Sequence, residues 1–304
     1  MPKRLKNSQA DYQLSPPVNS ARIYRSTAKT ASTALRLNSS MLSAILITRN
    51  EARNLEDCLA SLQGLADEIV VADTHSSDAT VSIAQRFGAK VAQPDDWPGF
   101  GPQKNRALAL ATQPWILSID ADERVSPELA AEINLLIGRA QPDGSRLHFE
   151  EKHCRAYEIP RKSWYCGKFI QHCGWRPDYV LRLFRKSNAK FSDDLVHERV
   201  ITTDEIGQLK NHLLHYSYLD FSQVLSKVEA YSSAAAQQAF SRGERGSIGK
   251  GIARGAWAFF RTYVLRAGFL DGAHGLALSI SNAQTTYYKY VKLWAMWQTK
   301  NIRR

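Results

Sequence analysis

Three carboxylates, Asp120, Asp122 and Glu123, directly follow the apolar run Trp115-Ile-Leu-Ser-Ile119. Such a run reads as a buried strand, so the acids would sit at a sheet edge, where unpaired negative charge is costly. Hard divalent ions such as Mg²⁺ and Mn²⁺ prefer carboxylate oxygens, and Mg²⁺ usually shares its ligands with substrate phosphates. One reading is therefore a metal–nucleotide site at Asp120 and Asp122. The blander one is a solvated acidic turn capping a helix that starts near Ser126-Pro-Glu128. Farther on, Asp193, Asp194, His197 and Glu198 fall within six residues. They are enough acid–base groups for a catalytic loop, or else an acidic surface turn.

The elements around them alternate. Leu42–Thr48 and Glu68–Asp73 read as buried strands, and Ala89–Ala92 as a third. Helices are expected through Leu55, Cys58, Leu59 and Leu62, through Val81 to Phe87, over Lys104–Ala111, and from about Ser126 to Ile137. Near-continuous apolar strands between amphipathic helices predict a parallel sheet covered on both faces, with ligands at the carboxyl ends of the strands. Three of those ends carry polar groups: Thr48 to Glu51, Asp73 to Asp78, and Asp120 to Glu123. Their agreement in position favours a site over a solvated turn.

Past residue 140 the pattern changes. Strands are expected at Tyr157–Pro160, Tyr179–Arg185 and Val200–Thr202. Trp164, Tyr165, Trp175 and Tyr179 lie among glycines between them, as sugar-stacking aromatics or as satellite core. The chain reads helical from about Tyr218. On a helical wheel over Lys250–Leu270, Ile252, Ala256, Phe259, Phe260, Tyr263 and Leu270 fall in one arc, with Lys250, Arg254 and Arg261 opposite. That describes an interfacial membrane helix, or a covering helix with a solvated basic face.

Of 304 residues, 40 are Lys or Arg and 29 Asp or Glu, a net charge of +11. The charge is uneven: about +6 over residues 1–41 and about +9 over 242–304, leaving the middle slightly acidic. Basic ends imply a polyanion nearby, an anionic membrane surface or nucleic acid. Residues 1–41, Ser-rich and without periodic apolar positions, read as a disordered basic extension. Four scattered cysteines do not form a secreted disulfide framework. There is no run of 18 apolar residues and no signal-like h-region, so a cytoplasmic location is the default. His153-Cys154, Cys166 and His172-Cys173 match no paired zinc spacing. Gly99-Phe-Gly101 lacks the third glycine of a dinucleotide fingerprint.

Four motifs stand in order: Ser43-Ala-Ile-Leu-Ile-Thr-Arg-Asn-Glu51, Ile69-Val-Val-Ala-Asp73 with Ser76-Ser-Asp78, Gly101-Pro-Gln-Lys-Asn-Arg106, and Asp120-Ala-Asp122. Together they resemble the inverting glycosyltransferases of family 2, with the GT-A fold. Asp96–Asn105, Arg182-Leu-Phe-Arg185, Asp193–Glu198 and Phe269-Leu-Asp-Gly272 are similar to the bacterial lipopolysaccharide-core β-1,4-glucosyltransferase subgroup. That likeness spans about residues 42–293. It implies a GT-A domain over 42–241, a mostly parallel sheet flanked by helices, followed over 242–304 by a basic-aromatic helical region at the membrane surface.

The resemblance also implies roles. Thr48, Asn50, Glu51, Asp73 and Asp78 would line the nucleotide pocket, Lys104 would meet the diphosphate, and Asp120 and Asp122 would hold Mg²⁺ or Mn²⁺. The base that takes the acceptor proton would be Asp194, closely followed by Glu198 and then Asp193, with His197 completing the metal shell or orienting a neighbour. The implied reaction is transfer of a hexose, glucose first, from a UDP-sugar to the heptose/Kdo inner core on lipid A, by an enzyme peripheral on the inner face of the inner membrane. A capsule, O-antigen or polyprenyl-phosphate acceptor is the nearer rival. A nucleic-acid-binding protein is the remoter one, disfavoured because strand-end carboxylates would repel phosphate without a metal.

Overall fold

The computed structural model describes residues 41–139, 154–193 and 198–302. The expected extension over 1–41 lies outside these residues apart from Met41. Four strands, β1 (Leu42–Thr48), β2 (Glu68–Asp73), β3 (Lys90–Ala92) and β4 (Trp115–Ser118), run parallel in the order β3-β2-β1-β4. Parallel neighbours need crossovers, and α1 (Ala52–Ser61), α2 (Thr80–Arg86) and α3 (Phe100–Leu110) supply them. Leu42, Ala44, Leu46, Val71 and Leu117 pack with Leu55 and Leu59 of α1. Ile45, Val70, Ala72 and Ile116 pack with Ala107 and Leu108 of α3. Both faces are covered, which is why these strands are apolar throughout rather than alternating.

The sheet continues past β4 with mixed pairing. β8 (Tyr179–Arg185) lies antiparallel to β4, β6 (Ala156–Tyr165) antiparallel to β8, and β12 (Leu213–Tyr218) parallel to β6. β5 (Glu123–Val125) closes the order, antiparallel to β12. β7 (Lys168–Phe169) and β11 (Ile206–Gln208) attach to β6, and β9 (Ala189–Phe191) pairs only with β10 (Val200–Thr202). α4 (Pro127–Leu136) begins where Ser126, Pro127 and Glu128 predict, with Ser126 Oγ accepting from Leu129 N.

Two strands escape the pattern. β5 is Glu-Arg-Val and β12 is Leu-Leu-His-Tyr-Ser-Tyr, neither a clean apolar run. They form by pairing with each other, a tertiary effect that local periodicity does not register. Trp175 packs against Tyr165 and Tyr218 in a small core with Ile170, Cys173, Val224 and Leu278. Tyr165 and Trp175 are therefore satellite core.

Past the sheet come α5 (Phe221–Ser241), α6 (Ile248–Phe260) and α7 (Ala273–Ile302), and α7 packs against both of the others. The single helix expected over Lys250–Leu270 is broken. A π turn occupies Arg261–Leu265, Ala267 adopts left-handed φ of 52°, and a 3₁₀ turn covers Gly268–Asp271. The break follows from close approach. A Cβ on Gly268 would stand 2.8 Å from Thr262 O and 2.9 Å from Cys173 Sγ. Asp271, buried at the break, accepts from the backbone N–H groups of Gln171 (3.1 Å) and His172 (2.8 Å). This joins the helices to the β6–β7 segment. No helix among the described residues is long and apolar enough to cross a membrane.

The start of α7 depends on contact as tight as that at Gly268. A Cβ on Gly275 would lie 1.9 Å from Gly268 O, whereas one on Gly249 would meet nothing within 4 Å. Gly275→Ala is expected to destabilise by about 1–3 kcal/mol as an overpacking change. Gly249→Ala is expected to hold or slightly raise stability. Urea unfolding midpoints of the two variants check this, and equal midpoints would refute it.

Candidate functional site

The carboxyl ends of β1, β2 and β4 emerge along one edge because the register pairs Thr48 with Asp73 and Ile45 with Ser118. Asp73 is fully buried and acts as a hub. It accepts from Thr48 Oγ1 (2.9 Å), Ser76 N (2.8 Å), Ser76 Oγ (2.5 Å) and Gln93 Nε2 (3.2 Å). Four donors fill the four lone-pair sites of one carboxylate. The Asp73 carboxylate thus ties the loops after β1 and β2 together here.

Neighbouring loops are tied in the same way. Asn50, at φ of 57°, donates its N–H to Ser76 Oγ (2.7 Å), and its Oδ1 accepts from Ser77 N (2.8 Å). Asp78 accepts from Ala52 N (3.1 Å), so it caps α1 from outside the helix. Glu51 accepts from Asn54 Nδ2 (3.0 Å). Burial raises the Glu51 pKa, and the charges of Asp122, Asp78 and Asp120 add to the rise against the Asn54 hydrogen bond.

Lys104 lies inside α3, which starts at Phe100 rather than at Lys104, and it is 6% exposed. Its Nζ is 3.2 Å from Asp120 Oδ1 and 2.7 Å from Glu198 Oε1. Arg182 of β8, equally buried, donates to Asp120 and, at 2.8 Å, to Glu123 Oε1. Glu123 also accepts from Asp120 N (2.9 Å) and faces Arg161 of β6 (3.4 Å), and Arg161 in turn pairs with Asp178 (2.8 Å). Burial alone would raise the Asp120 pKa, but Arg182 and Lys104 outweigh it and hold the carboxyl far below its ordinary range. Asp120 and Glu123 in turn keep Arg182 charged despite its burial.

Asp122 has a different partner. Its Oδ2 lies 3.4 Å from Nε2 of His215, and Tyr216 N donates to Asp122 O at 2.7 Å. The β5–β12 pairing, with Glu123 opposite His215, produces this juxtaposition. His215 Nδ1 is engaged by Ser163 Oγ (3.1 Å) and Ser217 Oγ (3.0 Å), which turns Nε2 toward Asp122. Burial would raise the Asp122 pKa, but His215 outweighs it and the net shift is downward. One carboxylate oxygen and one imidazole nitrogen with a fixed second shell suit Mn²⁺ or Mg²⁺ once phosphate and water oxygens join them. Among the described residues no cluster of three or more His, Cys, Asp or Glu is placed to hold a metal unaided.

The edge therefore gathers Thr48, Asn50, Glu51, Asp73, Asp78, Lys104, Asp120, Asp122 and Glu198. Asp193 is exposed, and Asp194 and His197 lie outside the described residues. Sequence reasoning left three cationic or imidazole groups unassigned. Arg182 stood only as part of the Arg-Leu-Phe-Arg motif, and Arg161 and His215 not at all. The one local sign of His215 is the alternation Leu213, His215, Ser217, which sets it on one face of β12.

Residues 43–144 match the family model described as Glycosyl transferase family 2. A Rickettsia felis protein described as an uncharacterized glycosyltransferase is 29% identical over 271 residues, covering 86% of this chain and 92% of that one. The lipopolysaccharide core biosynthesis glycosyltransferase LpsC of Rhizobium meliloti is 27% identical over 275 residues, 82% of this chain and 93% of that one. Among solved structures, S. aureus TarS 1–349 in complex with UDP aligns at 16% identity, with a TM-score of 0.44, over 86% of this chain and 92% of that one.

The paired carboxylates have a consequence in acid. The Asp120 pKa is depressed on folding from an ordinary 3.8, so its stabilising share is present above that value and lost as pH falls through it. The chain is expected to lose stability from about pH 5 downward. Asp120→Asn is expected to start less stable at pH 7 and to lose less between pH 7 and pH 3.5. Urea midpoints at both pH values check this; equal losses in the two proteins would overturn it.

Proposed function

We propose that this chain, whose residues 43–144 match the model of glycosyl transferase family 2, is an inverting, GT-A-fold enzyme moving a hexose from a UDP-sugar to the heptose/Kdo inner core on lipid A. The observation that carries the chemistry is Lys104 beside Asp120, with Asp122 beside His215, all at the carboxyl end of β4. Glucose is the first donor to test, since hexoses that differ by one group are separated by a few pocket contacts. The likeness to a protein described as a lipopolysaccharide core biosynthesis glycosyltransferase supports the acceptor class.

In this reading the loops held by Asp73, Asn50 and Asp78 receive the uridine, with Thr48 and Glu51 at the pocket wall. Asp122 and His215 would hold the divalent metal. When bound, the metal neutralises charge on the departing diphosphate. Asp120, already neutralised by Lys104 and Arg182, orients those cations rather than binding metal directly. The acceptor hydroxyl attacks the anomeric carbon from the side opposite UDP. The new C–O bond forms as the C–O bond to phosphate breaks, UDP leaves with the electron pair, and a carboxylate takes the hydroxyl proton. That base comes from the Asp193–Glu198 stretch, Asp194 or Glu198. Glu198 is ion-paired with Lys104 in the free site. A diphosphate that engages Lys104 would release Glu198 to accept a proton.

The C-terminal region fits an anionic membrane surface. Gly251, Gly255, Ala258 and Thr262 are buried, with the two glycines against α7, while Ile252, Phe260, Val264, Leu265, Phe269 and Leu270 are 43–59% exposed. Contiguous exposed apolar groups of this kind mark an interaction surface, and Lys250, Arg254, Arg261 and Arg266 on the same segment complement acidic headgroups. The enzyme would then be peripheral on the inner face of the inner membrane.

Asp122→Asn is expected to lower sugar transfer about a hundredfold or more, and His215→Ala to weaken Mn²⁺ binding at least about tenfold. Radiolabel transfer to truncated lipopolysaccharide and Mn²⁺ paramagnetic resonance read these two effects. Full activity in both variants would refute the site. Glu198→Gln and Asp194→Asn should separate the base: the true one loses about 10²–10⁴ in kcat with UDP affinity kept. Leu265→Asp combined with Phe269→Asp should abolish sedimentation with phosphatidylglycerol vesicles, and unchanged binding would remove the membrane assignment.

A further inference from the structure

A cavity of about 350 Å³ opens beside the ion-paired edge, with Arg161 in its wall. Pro160 and Arg161 of β6, Gln171, Arg176 and Asp178 of the following loops, Tyr179 of β8, and Lys210 and His212 before β12 line it. Three of these side chains are cations, and Asp178 is the one acid. Arg161 occupies Asp178 at 2.8 Å and also faces Glu123, so the cavity shares a wall with the catalytic charge network.

The remaining cations are unneutralised. Arg176, half-buried, donates one Nη to His212 Nε2 at 2.7 Å and the other to Gln171 Oε1, both neutral acceptors. Among the described residues no carboxylate pairs with Arg176, Lys210 or the adjacent Lys162. The His212 pKa is lowered by burial and then by the charges of Lys162 and Arg176, with Glu132 opposing. A half-buried guanidinium without a counter-charge, sharing an open cavity with Lys210, lacks the anion that such a fork binds bidentately.

The geometry points to this cavity as a subsite for a phosphate monoester on the acceptor, held by Arg176 and Lys210 with His212 and Lys162 behind them. It rests on the glycosyltransferase reading above for the identity of the acceptor. The cavity adjoins Glu123 rather than the loops tied by Asp73, which places it on the acceptor side of the site. A phosphorylated sugar there would bring its neighbouring hydroxyl to the catalytic edge, and the subsite would act on binding rather than on the chemical step.

The test uses the full chain, Arg176→Gln and Lys210→Gln, with truncated lipopolysaccharide acceptor before and after phosphatase treatment. For the phosphorylated acceptor, KM is expected to rise about 10-fold to 100-fold in Arg176→Gln and less in the exposed Lys210→Gln. kcat and calorimetric UDP affinity should hold. Wild-type protein should show a similar KM rise on the dephosphorylated acceptor, with no further rise in Arg176→Gln. Equal wild-type KM for the two acceptors, or the same mutational effect on both, overturns the assignment. If no acceptor is glycosylated although UDP binds, the acceptor reading falls and the cavity is judged alone. A saturable shift of the His212 imidazole resonances with inorganic phosphate, lost in Arg176→Gln, then upholds the anion site; no shift overturns it. If Arg176→Gln fails to fold, Lys210→Gln carries the same comparisons.

Discussion

Charges alternate in a file across the sheet edge: Glu198, Lys104, Asp120, Arg182, Glu123, Arg161, Asp178. Each interior member has a partner of opposite sign on either side. The file runs from the loop after β9 through α3, the end of β4, β8 and β6 to the turn before β8. Five separate segments are held in register by it. Buried ion pairs of this sort add little net stability, because desolvation offsets the Coulomb gain, yet removing one member leaves a charge stranded. The file therefore specifies an arrangement more than it strengthens the fold. Within the acidic turn Asp120–Glu123 it leaves Asp122 as the carboxylate paired with His215 rather than with a Lys or Arg.

A different principle operates at the ends of β1 and β2. There the polar side chains are spent on backbone N–H groups and hydroxyls. Asp73, Asn50 and Asp78 each satisfy donors from another segment, so the loops are fixed before any ligand arrives. Loops tied in this manner lose little further entropy on binding. One half of the edge is thus rigid through neutral and charge-assisted hydrogen bonds, and the other through ion pairs whose cations Lys104 and Arg182 are buried.

The first four strands and their helices were legible because each is a buried apolar run or a helix-period stripe. The likeness to the family 2 glycosyltransferases was legible because four short motifs stand in order, three at the ends of β1, β2 and β4 and one in the first turns of α3. Where local signal gave out, the cause was pairing across sequence distance. β5 is short and charged and β12 mixes His and Ser with its apolar residues, so neither announces itself, and with them went His215, which reaches Asp122 through that pairing. The helix read over Lys250–Leu270 failed for a similar reason. Its wheel places the exposed apolar arc well, but contacts of Gly268 with Cys173 and Thr262 end the helix, and no periodicity encodes them. The sequence starts α3 at Lys104 rather than at Phe100 because Gly101 and Pro102 look like helix breakers. At the first turn of α3 they are tolerated, since the leading N–H groups need no intrahelical acceptor.

The insertion of β5 beside β12 bears on how divisible the chain is. Residues 43–144 hold the loops after β1 and β2 and the acidic turn, but Arg182, Arg161 and His215 arrive from strands laid down later in the same sheet. Cut after its α4 helix, the chain would keep its carboxylates and lose three of the groups that face them. β5 would also lack a neighbour. The two halves are therefore not interchangeable cassettes. A hybrid joined near residue 140 with a distant relative must bring matching residues at the Arg182, Arg161 and His215 positions. Without them the transplanted acidic turn would be opposed by Lys104 alone.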